Sequence, residues 1–175
     1  RNLFGKFANS KIYKIVEVLL KEEVYLFSME IHSRIALGTL IPPHQDNAYY
    51  GLENGSALTF YIPLNSQNPS DGGLRYLKNS VNKQFDHDLS SEKGFSLTIK
   101  SKDDIKLLEK IDPVYEPGYC SIHHSRSVHY AEKVPPKIDR GLVLRMSFFA
   151  INSKQKINHL KWYEKIVNKN RLQNI

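Results

Sequence analysis

The sequence predicts a mainly β protein, a sandwich or barrel flanked by an N-terminal and a C-terminal helix. Residues 24–37, VYLFSMEIHSRIAL, alternate in polarity and are rich in β-branched and aromatic side chains. Further short apolar runs follow, each bounded by turn clusters of Pro, Gly, Asn or Asp. The 3.6-residue period is confined to the two ends of the chain. Short strands at close spacing favour a two-sheet or closed antiparallel architecture over a parallel α/β sheet.

Taken in order, Ser10 is placed to cap a helix over 10–23, because Ile12, Ile15, Val16, Leu19 and Leu20 recur at helical spacing. Residues 24–37 and SALTFYIPL (56–64) read as strands, the second after the turn signal ENGS. The polar cluster NSQNPSDGG (65–73) is a turn that feeds a short strand, LRYL. Residues 78–93 are polar and irregular and are expected to form a long loop. FSLTIK is a strand, 103–111 has no clear type, and PGYCSIHH, RSVHYAEKV and RGLVLRMSFFAIN are closely spaced strands. The tail, 153–172, is helical.

With 175 residues, 41% apolar and 25% charged, the chain suits one folded domain, 1–175, able to bury a core without disulfides. It starts at Arg1 rather than Met, so some upstream sequence is expected to be missing. Its single cysteine, Cys120, forms no internal disulfide. No apolar run approaches the roughly 18 residues of a membrane span and no secretory signal opens the chain, so a cytoplasmic protein is expected. The net charge of +7 does not point to nucleic acid: the lysines of KSKDDIKLLEKID and SKQKINHLKWYEKIVNKNR are interrupted by acids and spread over solvated faces. A slight preference for phosphate-bearing small molecules is what remains.

The chemistry is concentrated in two stretches. IPPHQDNAYYGL places His44 and Asp46 at i and i+2, so that on a strand both side chains leave one face and converge. With a histidine from a distant strand they would make two imidazoles and one carboxylate, a ligand set that leaves positions open on non-haem Fe(II). GYCSIHHSRSVHYAEKV offers His123, His124 and His129 for that place. His32, His87 and His159 read as ordinary polar residues, and Cys120 as a small buried one.

In order and spacing, these stretches resemble the phytanoyl-CoA dioxygenase family of Fe(II)- and 2-oxoglutarate-dependent oxygenases. PPHQDNAYYGL is similar to the family's HQD segment, SDGGLRYLKNSVNK to the segment ending in its GSH, and GYCSIHHSRSVHYAEKVPPKIDRGLVLR to its H-x4-H strand with an arginine eleven residues on. The resemblance spans residues 27–150. It implies a double-stranded β-helix, the jelly-roll or cupin-like barrel. It also implies His44, Asp46 and His129 as iron ligands and Arg140 as the anchor of the far carboxylate of 2-oxoglutarate, with Arg145 as its rival. Thr59 and Gln45 are placed beside the cosubstrate, Gln45 only if the pocket turns it inward against strand alternation. His124 falls in the H-x4-H relation with His129. The sequence departs from the family at KNSV for GSH, at Gly118-Tyr119 for GD and at His129-Tyr130-Ala131 for HGS. Arg34 is the nearest basic residue to the lysine many relatives carry one strand before the H-x-D.

The activity implied is hydroxylation of a small-molecule or acyl substrate, CoA- or carrier-linked or free, using Fe(2+), 2-oxoglutarate and O2 and releasing succinate and CO2. Asp46 favours hydroxylation, since related halogenases carry a small residue there. Two alternatives stand beside it: a cupin-like barrel holding another metal and a small ligand, and a family member that binds without turnover. The first has no need of a buried arginine near the metal.

Overall fold

The computed structural model describes residues 10–35, 38, 40–138 and 140–173. Ser10 precedes the expected first helix, α1 (Lys11–Leu20), which ends where Lys21 enters the left-handed region at φ 56° and turns the chain into β1 (Val24–Ile35). Ala36 and Leu37, the expected end of that strand, lie outside the described residues. After β1 come β2 (Ile41–His44), a one-turn helix α2 (Asn47–Tyr50), β3 (Ala57–Pro63) and β4 (Arg75–Leu77). Then follow β5 (His87–Leu89), β6 (Leu97–Ile99), β7 (Lys110–Ile111), β8 (Ser121–His124), β9 (His129–Ala131), β10 (Arg140–Ala150) and α3 (Ile157–Gln173). The expected loop over 78–93 thus contains a 3-10 turn, Ser80–Asn82, and the strand β5, too short and polar to announce itself. The undetermined stretch 103–111 carries the end of another 3-10 turn and β7.

Two four-stranded sheets face each other, in the orders β1-β10-β3-β8 and β2-β9-β4-β7, with β5-β6 as a separate hairpin. Every described pairing is antiparallel. This is the jelly-roll, mainly β with a helix at each end, and it agrees with the fold read from the sequence.

Strand parity divides the first sheet into two functions. Leu58 and Phe60 of β3 and Met146 and Phe148 of β10 face outward and are covered by Ile12, Val16 and Leu20 of α1. Val16 is fully buried there, which contributes roughly 1.5–3 kcal/mol. The opposite parity, Thr59 and Tyr61 with Val143 and Arg145, lines the cavity between the sheets. Among the described residues no helix is long and apolar enough to cross a membrane.

Candidate metal centre

Two cross-strand rows build the site. In one sheet His44 of β2 is the direct antiparallel partner of His129 of β9, whose other neighbour is Tyr76 of β4. In the facing sheet Thr59 of β3 stands between Ser147 of β10 and His123 of β8. Side chains at paired positions project from the same face, so each row presents its groups side by side. Asp46 is set between the rows.

Asp46 arrives there by a different route from the one strand alternation suggests. β2 ends at His44, and Asp46 already has helical backbone angles, φ −55° and ψ −33°, at the head of α2. The turn, rather than a continuing strand, brings its carboxylate back to the imidazoles. Nε2 of His44 and Nε2 of His129 each lie 3.8 Å from Asp46 Oδ1, and the three residues, all buried, offer ligand atoms within 4.8 Å of one another.

The donor set fits a divalent metal. The Nδ1 of His44 donates to the Pro42 carbonyl at 2.7 Å and that of His129 to the Ser127 carbonyl at 3.0 Å, which leaves both Nε2 lone pairs aimed at the common point. Burial lowers the proton affinity of both rings, and keeps them neutral, as ligands must be. Burial also opposes ionisation of Asp46, but the Arg145 guanidinium and the hydrogen bond to His123 outweigh it and hold the carboxyl well below the usual carboxylate range. At 3.8 Å from Asp46 Oδ1, each imidazole nitrogen is close enough to the carboxylate for the pair to share one divalent ion with bonds of about 2.1 Å.

Asp46 is the end point of a hydrogen-bond ring. Arg145 Nη2 donates to Oδ1 at 3.2 Å and to the Tyr50 hydroxyl at 2.6 Å. Tyr50 lies 3.0 Å from Ser147 Oγ, Ser147 lies 3.3 Å from Thr59 Oγ1, and Thr59 donates to Oδ2 at 2.9 Å. With each hydroxyl donating onward, every bond in the ring is polarised toward the carboxylate, which strengthens the set. Burial and the nearby Asp46 charge raise the Tyr50 phenol to about 12, so it stays protonated.

The cavity beside these groups has a volume of about 280 Å³. One part of its wall is aromatic, with Tyr49, Phe95 and Tyr163; another carries Arg34 and Tyr61. Arg34 donates to the carbonyls of Gly72 and Glu132, which fixes its guanidinium at the rim.

Of the residues singled out from the sequence, His44, Asp46, His129 and Thr59 meet here, and Thr59 reaches the carboxylate itself. Gln45, expected at the cosubstrate, is fully buried away from the cavity. Its amide donates to the carbonyls of Lys83 and Arg126 and accepts from Phe85 N–H. It clamps two loops to the turn between His44 and Asp46. Strand alternation signals the outward direction, but the loop partners are too distant in sequence to be read. Arg140 opens β10 opposite Ile35; its side chain lies outside the described residues. Arg145 is the arginine seen at the carboxylate, and the cue for it is the pairing of β10 with β3, where it is the partner of Tyr61. His124 accepts from Arg126 N–H and stands clear of the cluster; His123 is the ring turned inward.

His87 also proves more than an ordinary polar residue. Its Nδ1 donates to the Phe85 carbonyl and its Nε2 accepts Gln45 N–H at 3.1 Å, so the neutral ring is required. Burial pushes its pKa down to about 4, below the unfolded value of about 6.5. Its contribution to stability is therefore complete above about pH 6.5 and is lost as pH falls toward about 4. In urea unfolding of the metal-free protein, the loss from pH 7.5 to pH 5 should be about 2 kcal/mol larger for the wild type than for His87→Gln. Equal losses would show that the ring does not titrate with folding.

The sequence profile of the phytanoyl-CoA dioxygenase (PhyH) family matches residues 1–137, a span that takes in β2 and β9 and ends before Arg140. No curated protein matches. Among solved structures, the epimerase SnoN in complex with Fe3+, alpha ketoglutarate and nogalamycin RO is similar at TM-score 0.72 and 18% identity, over 89% of this chain and 62% of that one. The non-heme monooxygenase ThoJ is similar at TM-score 0.68 and 21% identity, over 82% and 53%. EctD from S. alaskensis, with 2-oxoglutarate and 5-hydroxyectoine, gives 0.67 and 16%, over 85% and 52%. The chain spans between about half and somewhat under two thirds of the length of these structures.

Proposed function

Because the chain belongs to the phytanoyl-CoA dioxygenase (PhyH) family, we propose that it is an Fe(II)- and 2-oxoglutarate-dependent oxygenase that hydroxylates a small-molecule or acyl substrate. The observation that carries the reading is the convergence of two neutral imidazoles and one ionised carboxylate on a single buried point beside a cavity. Fe(II) with 2-oxoglutarate supplies O2 activation coupled to decarboxylation of the keto acid to succinate and CO2.

The chain's own residues do the holding and orienting. His44 and His129 offer their Nε2 atoms, and Asp46 offers Oδ1 while Thr59 keeps its other oxygen occupied. Arg140, selected by its spacing from His129, takes the far carboxylate of the cosubstrate, and Arg34 adds positive charge to the cavity wall. Tyr49, Phe95 and Tyr163 orient an apolar part of the substrate and exclude water.

The test is anaerobic addition of Fe(II) and 2-oxoglutarate, which should produce a visible charge-transfer band, followed by O2, which should yield succinate. Without the band in folded protein, the oxygenase reading fails. A band without succinate, even across a panel of acyl and small-molecule substrates, would favour a binding barrel that no longer turns over. Arg140→Ala should weaken 2-oxoglutarate use far more than Fe(II) binding; equal effects would make that arginine structural.

A further inference from the structure

We propose that His123 is a positioning residue that, oriented by Tyr76, holds the outer oxygen of Asp46 so that a single carboxylate oxygen faces the metal. This rests on the reading of His44, Asp46 and His129 as ligands. His123 is buried in the row Ser147–Thr59–His123, and its Nε2 lies 3.3 Å from Asp46 Oδ2. Its Nδ1 lies 3.1 Å from the Tyr76 hydroxyl.

The surroundings decide which nitrogen carries the proton. Tyr115 donates to Ser121 Oγ at 3.1 Å, and Ser121 Oγ lies 2.7 Å from the Tyr76 hydroxyl. If each hydroxyl passes its proton onward, Ser121 donates to Tyr76 and Tyr76 donates to Nδ1 of His123. Nε2–H then donates to the carboxylate, and every group in the chain is used once. The other tautomer would set a nitrogen lone pair against a carboxylate oxygen in a buried site, with no donor between them. Thr59 and His123 together occupy Oδ2, while Oδ1 faces the two ligand imidazoles. A nitrogen that carries a proton has no lone pair for a metal, so His123 supports the site from outside the three ligands.

Co(II) titration of the full chain, read by its visible absorption, tests this together with long-range 1H–15N spectra of the metal-free protein. His123→Phe, which keeps the ring volume and removes the donor, should raise the Co(II) Kd by about 10–100-fold. His123→Gln, whose amide offers an N–H at similar reach, should recover most of that loss, and Tyr76→Phe should fall between. Thermal unfolding of the metal-free variants confirms that each is folded. The metal-free wild type should show His123 as the Nε2–H tautomer. An Nδ1–H tautomer, a His123→Phe Kd within twofold of wild type, a glutamine variant as weak as the phenylalanine one, or loss of a nitrogen ligand from the Co(II) spectrum would each overturn the proposal. A wild type that binds no Co(II) would overturn the ligand reading and this one with it.

Discussion

His129→Ala should erase the visible band of the Fe(II)–2-oxoglutarate complex and reduce 2-oxoglutarate-dependent succinate formation by more than about 100-fold. Loss of a partner that merely orients a metal ligand already costs 10–100-fold, and loss of the ligand itself costs more. His129 supplies one of only two imidazoles in the group, and its partner across the sheet, His44, cannot compensate because its own Nε2 already points at the same site. His124→Ala is the matched control: that ring accepts a hydrogen bond from Arg126 and makes none to His44, Asp46 or His129. Its band should remain. A band that survived in His129→Ala would remove the histidine from the metal and with it the proposed chemistry.

Arg145→Met should have the second large effect, and on a different quantity. In the metal-free protein the Arg145 guanidinium is, among the described residues, the cation nearest Asp46, whose side chain is almost completely buried. Removing one partner of a buried pair leaves an uncompensated charge and costs about 3–5 kcal/mol. For a chain of this length that is a fall in Tm on the order of 10 °C. A divalent cation bound at Oδ1 would replace the lost charge, so saturating Co(II) should restore most of the stability. Acid titration gives an independent check. In the wild type the depressed carboxyl stabilises the fold above the unfolded pKa of about 3.9, and that contribution disappears as pH falls through the folded value. In Arg145→Met this acid-dependent contribution should be largely gone. If the metal-free variant were as stable as wild type, the guanidinium would not be the counter-ion of Asp46.

The parts of the site legible in the sequence were those set by local pattern. Alternation marked β1 and β3, turn clusters marked their ends, and the H-x-D and H-x4-H spacings drew attention to His44, Asp46 and His129. What was hidden depends on which strands pair. The choice of His123 over His124 follows from the register of β8 against β3, where His123 lies opposite Thr59. The position of Arg145 follows from β10 against the same strand. Alternation groups Arg145 with Val143 and Ser147, yet which face is the cavity face is a property of the neighbouring strand. Asp46 shows the complementary case, in which convergence was anticipated but is produced by a helical turn. Gln45 and His87 act through loops 38 to 81 residues away, a distance no local pattern spans.

The β5-β6 hairpin forms a sheet of its own, and its turn brings Gly94, Phe95 and Ser96 to the cavity without touching Asp46 or either ligand imidazole by any hydrogen bond. Gly94 has φ +87° and open space around it. The turn can be lengthened, shortened or rewritten while His87, Leu97 and Thr98 of the flanking strands keep their hydrogen bonds to the segment around His44 and Asp46. Under the proposed function, the choice of molecule admitted and the chemistry done on it would rest on separable lengths of polypeptide, and divergence of this scaffold toward new compounds would need change only in the first.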